Sequence, residues 1–279
     1  MSNHSHVNAP TCRVDADGIS YAYRHFGNGT GVPLIFLQHF RGGLDHWDPT
    51  ITDGFAKDRP VILFDNAGVA GSSGETPDTV EAMADHLARF TGALQLSTID
   101  VLGFSIGGYI AQAFTLRYPE LVRRLILIGT MPRGGEPATD PRIMQHALKP
   151  IPDIDDYLAL FFVPSEASMA AGRAFWERRH RRTVDIDPPA SEQAMKSQIA
   201  AIMNWRNATG ERFAELKAIR QPTLVVNGSN DVMVPTVNSF ILQQHLPNAQ
   251  LIVYPDSGHA SHFQYPELFL QHARLFLDV

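Results

Sequence analysis

A chain of 279 residues with 44% hydrophobic and 19% charged side chains has room for a large buried core, which excludes global disorder. Its net charge of −6 argues against nucleic acid as the main partner, and its single cysteine, Cys12, leaves no intramolecular disulfide. The opening stretch MSNHSHVNAP lacks the apolar core of a secretion signal, and no apolar run reaches the length of a membrane span. A soluble cytoplasmic protein with no membrane partner is therefore expected.

In chain order, residues 19–24 alternate apolar and polar and predict an antiparallel edge hairpin with residues 12–14. Residues 34–37, 61–64, 99–102 and 125–128 are short apolar runs bounded by Gly, Pro or Asp. Such runs suit strands buried on both faces of a parallel sheet. Residues 79–94 carry Val80, Met83, Leu87, Phe90 and Leu94 at helical steps, and a second helix is expected over 106–118. Strand and helix in alternation predict a doubly wound α/β core.

The alternation stops after Gly129. Over 134–216 no buried strand is legible; proline breaks separate helical patches at 165–182 and 192–207. The economical reading is a core of 1–133 and 217–279 interrupted by a helical insertion at 134–216. Within the insertion, the basic run 177–182 reads as a solvated helix face. The strand pattern resumes with 223–226 and 251–254.

The stretch 101–109 reads VLGFSIGGY, with Ser105 between a buried strand and a helix and a glycine two residues to either side. A sharp strand-to-helix turn needs small flanks, and Gly103 and Gly107 supply them. The turn would lift the Ser105 hydroxyl to the carboxyl edge of the sheet, facing the positive end of the new helix. As a bare helix cap, Ser105 would not need both glycines. A serine hydroxyl becomes a nucleophile only beside a base that a carboxylate orients. Asp231 follows the strand 223–226, and His259 follows the strand 251–254, so all three groups fall at strand ends on one edge. Asp256, Asp65, His245 and His262 are weaker candidates, by position. Two N–H groups would hold an oxyanion: that of Ile106, and that of Phe40 in the loop after strand 34–37.

Taken together, the loop 38–43, the turn 65–72, the Ser105 turn, Asp231 and the Gly258-His259 pair closely resemble the α/β-hydrolase fold family, over nearly the whole chain. The resemblance implies an eight-stranded, mostly parallel sheet with a helical cap after the sixth strand. It also implies a triad of Ser105, Asp231 and His259. One departure stands out: the family's usual His-Gly aligns with Gln38-His39. The His39 side chain would then narrow the pocket or hydrogen-bond to a substrate, or point away as a structural substitution. Arg41 would meet an anionic substrate group or face solvent. Phe161, Met203 and Trp205, in the insertion, are candidates for an apolar acyl pocket or for fastening the insertion to the core.

The resemblance implies a serine hydrolase acting through an acyl-enzyme on a small or medium ester or lactone. The alternatives are a C–C bond hydrolase of a ring-cleavage product, a cofactor-free haloperoxidase or perhydrolase, and a small-molecule receptor without turnover. The C–C reading needs a cation near the site, and Arg41 is the residue to check. No metal motif and no G-x-G-x-x-G fingerprint occurs, so no cofactor is expected. The expected partner is a small-molecule substrate, and a homodimer is left open.

Overall fold

The structure is a computed structural model that describes residues 4–278. An N-terminal hairpin, β1 (Cys12–Ala16) and β2 (Ile19–Phe26), opens the chain. There follow β3 (Leu34–Leu37), α1 (Pro49–Ala56), β4 (Val61–Phe64), α2 (Val80–Ala93), β5 (Ile99–Phe104), α3 (Ile106–Arg117) and β6 (Val122–Ile128). Four helices come next: α4 (Arg142–Ala147), α5 (Ile154–Phe161), α6 (Glu166–Arg179) and α7 (Glu192–Trp205). The sheet resumes with β7 (Thr223–Gly228), α8 (Val237–His245), β8 (Ala249–Tyr254), α9 (Ser261–Gln264) and α10 (Pro266–Asp278).

All eight strands form one sheet in the order β1-β2-β4-β3-β5-β6-β7-β8. The pairings β1–β2 and β2–β4 are antiparallel; every later pairing is parallel. The apolar runs are continuous because both faces are covered. Ile35 and Leu37 join one core with Val101, Leu125 and the inner faces of α2 and α3. Leu34 and Phe36 join the opposite core with Phe104, Ile126 and residues of α1 and α10. Side-chain alternation along each strand thus splits the interior into two layers.

Helix ends follow the sequence chemistry. Thr79 accepts from the Ala82 N–H, Ser165 from Ser168 N–H and Ser191 from Ala194 N–H, so one of the donors left over in each first turn is met. The basic run does not form a solvated face, which corrects that expectation. Arg178 pairs with buried Asp48, Arg179 is buried over Tyr157 and Trp176, and buried Arg182 donates to the carbonyls of His6 and Ala9. Only Glu177, His180 and Arg181 of the run are exposed.

Register brings the strand ends together. Leu37 lies beside Gly103, Phe104 beside Ile128, Ile128 beside Val226, and Gly228 beside Tyr254. The loops leaving β3, β5, β7 and β8 therefore open on one edge.

Candidate active site

At the end of β5 the backbone of Ser105 takes φ 57° and ψ −121°, a region that non-glycine residues avoid at about 1–3 kcal/mol. Its surroundings hold it there. The Ser105 N–H donates to Ile128 O (2.9 Å), and its carbonyl accepts from Gly108 N–H (2.8 Å) and the Thr130 hydroxyl (2.9 Å). A Cβ at Gly103 would fall on the carbonyl of Gly107, and one at Gly107 on the carbonyl of Leu37. The serine makes no side-chain cap bond to α3, so its hydroxyl is not occupied in closing the helix. The packing of Gly107 against Leu37 also sets the loop after β3 beside the first turn of α3. Phe40 and Ile106 are thereby carried to the same end of β5.

Asp231 lies three residues past the end of β7. Its Oδ1 accepts from the N–H groups of Met233 and Val234, both at 2.9 Å, which leaves Oδ2 facing His259. The His259 Nδ1 to Asp231 Oδ2 distance is 2.8 Å, between two fully buried side chains. A carboxylate only accepts, so Nδ1 carries the proton and Nε2 is left with a bare lone pair. That Nε2 has no hydrogen-bond partner, so no bond to the Ser105 hydroxyl is formed in the resting structure. The ring is held by Phe104 and Phe161, with centroids 4.9 and 5.7 Å away. Asp65 is not near this pair. It is buried against Asp187, which the sequence reading did not single out, and burial together with that second carboxyl pushes its pKa well up.

Ser105 lines two cavities. A small one of about 40 Å³ is shared with His39, Phe40, Arg41, Tyr157, Phe161 and His259. A second of about 120 Å³ is mostly apolar and is lined by Phe40, Tyr109, Ile199, Ile202, Met203 and Arg206 among others. Helices α4 and α5 supply much of the lining of the small cavity, and α4 and α7 much of that of the larger, so the segment between β6 and β7 walls the serine off from one side.

Of the five pocket candidates, four line these cavities. His39 does so as a buried ring whose Nδ1 donates to Phe40 O at 2.8 Å, packed edge-on to Phe104 and Phe161. Burial lowers its pKa to about 3, and its Nε2 is unpartnered. Phe161 packs against both histidines. Met203 is half exposed at the edge of the larger cavity.

Arg41 lines the small cavity, but its guanidinium neither meets solvent alone nor stands free for an anion. It donates to the carbonyls of Ala147, Lys149 and Pro150 at 3.2, 2.7 and 2.8 Å, tying down the end of α4. Trp205 lines neither cavity, and of its two readings its contacts fit fastening the insertion to the core. Its indole is buried behind Tyr109, stacked at 5.5 Å, with Nε1 donating to Met131 O and Arg133 over its face. A large ring with a polar tip finds more contact there than beside the cavity.

Sequence reasoning missed Arg206, Tyr157 and Met233, all of which line a cavity with Ser105. Arg206 ends α7, a helix the periodicity revealed. The face on which it falls depends on how α7 docks, which periodicity does not give.

Comparison with known proteins agrees with this fold. The family model for the alpha/beta hydrolase fold matches residues 32–266. A solved structure, an alpha/beta hydrolase fold protein from Chitinophaga pinensis, is 43% identical, covers 99% of both chains and superposes with a TM-score of 0.93. The pimeloyl-[acyl-carrier protein] methyl ester esterase of Nitrosomonas europaea is 27% identical over 254 residues, 87% of this chain and 94% of its own. The 2-hydroxy-6-oxo-2,4-heptadienoate hydrolase of Pseudomonas putida is 27% identical over 239 residues, 83% of each chain. With an eight-stranded sheet in this order and a family match over most of its length, the chain belongs to the α/β-hydrolase fold family and is a hydrolase.

Proposed function

We propose that the protein is a serine hydrolase that cleaves a carboxylic ester or lactone through an acyl-enzyme on Ser105, with residues 134–216 as its cap. The observation that carries this reading is the open Nε2 of His259, its tautomer held by Asp231, in the cavity that Ser105 lines. In the reaction, Ser105 Oγ attacks the carbonyl carbon while His259 Nε2 takes its proton. The N–H groups of Ile106 and Phe40 hold the oxyanion, each such donor contributing about 3 kcal/mol to the transition state. His259 then protonates the leaving alcohol, and a water activated by the same nitrogen releases the acid.

Several observations support ester cleavage. One of the relatives above is a methyl ester esterase. Arg41, the cation that an anionic ring-cleavage product would call on, is occupied by three backbone carbonyls. C–C hydrolysis stands as a second reading on one observation, the guanidinium of Arg206 in the larger cavity.

Covalent labelling tests the proposal. An activated organophosphonate, which phosphonylates the nucleophile of serine hydrolases as its leaving group departs from phosphorus, should add one adduct per chain, mapped by mass spectrometry to Ser105. Its formation should track the loss of p-nitrophenyl ester hydrolysis. Inactivation with the adduct elsewhere, or a full adduct with undiminished hydrolysis, would count against it.

A further inference from the structure

The larger cavity beside Ser105 is built from apolar side chains with one exception in charge. Among the described residues that line it, Arg206 alone is charged. Its backbone N–H closes the last turn of α7 on Ile202 O and Asn204 O. A cation at a helix carboxyl end gains from the dipole, but that gain is available in water and does not require desolvation. Here the Arg206 Nε is buried and has no hydrogen-bond partner, and Nη1 meets only the thioether sulfur of Met203 at 3.6 Å. No carboxylate among the described residues pairs with it, unlike Arg133 and Arg212 nearby. The residue as a whole is partly exposed, but its buried Nε lacks an acceptor and its guanidinium has no carboxylate partner among the described residues, so the head is free to take an anionic group at the cavity.

The lining opposite adds nothing negative. Tyr109 faces the same cavity, and burial raises its pKa, so it stays a neutral phenol. Met131, Ile143, Ile199 and Ile202 give apolar walls suited to a methylene chain. One planar cation with no second basic group matches a singly charged, planar acceptor, which is a carboxylate rather than a phosphate.

The geometry points to a subsite in which Arg206 binds a carboxylate at the far end of an acyl chain whose other end is the ester cleaved at Ser105. The substrate class is the half-ester of an aliphatic dicarboxylic acid, and the inference rests on the serine-hydrolase reading above. Arg206 touches the substrate but takes no part in bond making, so its removal should act mainly on KM.

The test compares monomethyl esters of dicarboxylic acids from succinate to azelate with methyl esters of fatty acids of equal length. Products are followed by mass spectrometry. The wild type should prefer the half-ester at its best chain length by roughly tenfold or more in kcat/KM, the scale of one hydrogen bond to a charged group. Arg206→Gln should lose that preference through KM, and Arg206→Lys should recover part of it. No preference at any length in the wild type, or an equal loss for both ester classes in Arg206→Gln, would overturn the subsite.

Failure of the serine reading looks different: neither ester class is turned over, or Ser105→Ala turns over both. The subsite is then decided by ligand binding. Suberate and adipate should raise the melting temperature of the wild type and not that of Arg206→Gln, and no rise in either protein rejects it. A 2-hydroxy-6-oxo-dienoate added to the panel separates the two sources of the carboxylate: its cleavage in place of the half-esters would reject the half-ester assignment.

Discussion

At the scale of single residues, the site depends on positions that tolerate no side chain. Gly107 is the sharpest case, because its Cβ would occupy the Leu37 carbonyl, and neither β3 nor α3 can retreat from the middle of the fold. Gly107→Ala should cost about 1–3 kcal/mol, the usual penalty for overpacking a filled site. It should also shift Ser105 and the loop carrying Phe40, so esterase activity should fall further than stability alone explains. Thermal melting beside kcat/KM checks this, and an active variant with an unchanged melting temperature would show that the turn is not under this constraint. These residues were legible because their chemistry is local. Ser105, Gly103 and Gly107 fall in one nine-residue stretch, and Asp231 and His259 each stand just past a strand. His39 was legible as a departure but not in its orientation, which is set by Phe161 of a helix more than a hundred residues away.

At the scale of elements, the core strands and α2 and α3 appear where the apolar periodicity put them, because burial on one or two faces leaves a direct imprint on sequence. The segment between β6 and β7 left a weaker one. Its helices were found at α6 and α7, but α4 has only six residues, none fully buried, and its apolar residues Ile143, Met144 and Ala147 span too little sequence to show a helical period. Part of what fixes α4 is a distant cation, Arg41, on a loop 106 residues earlier by its contact to Ala147, beside the bond between His146 and Asp156 of α5. Arg41→Gln should therefore loosen α4 selectively. Amide exchange over residues 142–150 should quicken roughly tenfold, as expected for loss of about one net charged hydrogen bond, while the strands keep their protection. Unchanged exchange in that segment would mean that α4 is held by its contacts to α5 and the cavity wall, without Arg41. The run 177–182 failed for the same reason. Its arginines look solvated by composition, yet their partners, Asp48 and the carbonyls of His6 and Ala9, lie far away in sequence.

Across the whole molecule, buried titratable groups set how stability follows pH. Burial lowers the pKa of His6 and of His39 to about 3, and that of His262 well below its ordinary value. Their neutral forms are favoured on folding, so their contribution is complete above the unfolded value of 6.5 and is lost as pH falls toward 3. Asp65 and Asp187 act in the opposite sense. Burial raises Asp187 to about 6, so the protonated pair stabilises most at low pH, and that part fades as pH rises through 6. With His46, whose pKa burial also lowers well below its ordinary value, four histidines outweigh this carboxyl pair. Each proton taken up only by the unfolded chain costs about 1.4 kcal/mol per pH unit. The melting temperature should fall steadily from pH 7 to pH 4.5. In Asp187→Asn it should fall more steeply, because the compensating carboxyl pair is gone. A flat wild-type profile over that range would show that the histidines are not held neutral.

The central claim is that Ser105 is the nucleophile of an acyl-transfer hydrolase. The most direct measurement is steady-state hydrolysis of p-nitrophenyl esters from acetate to dodecanoate by the wild type and by Ser105→Ala. The account predicts many turnovers by the wild type, with a chain-length optimum set by the larger cavity, and a fall of several orders of magnitude in the variant, roughly 10³-fold or more. Equal rates in the two proteins would contradict it.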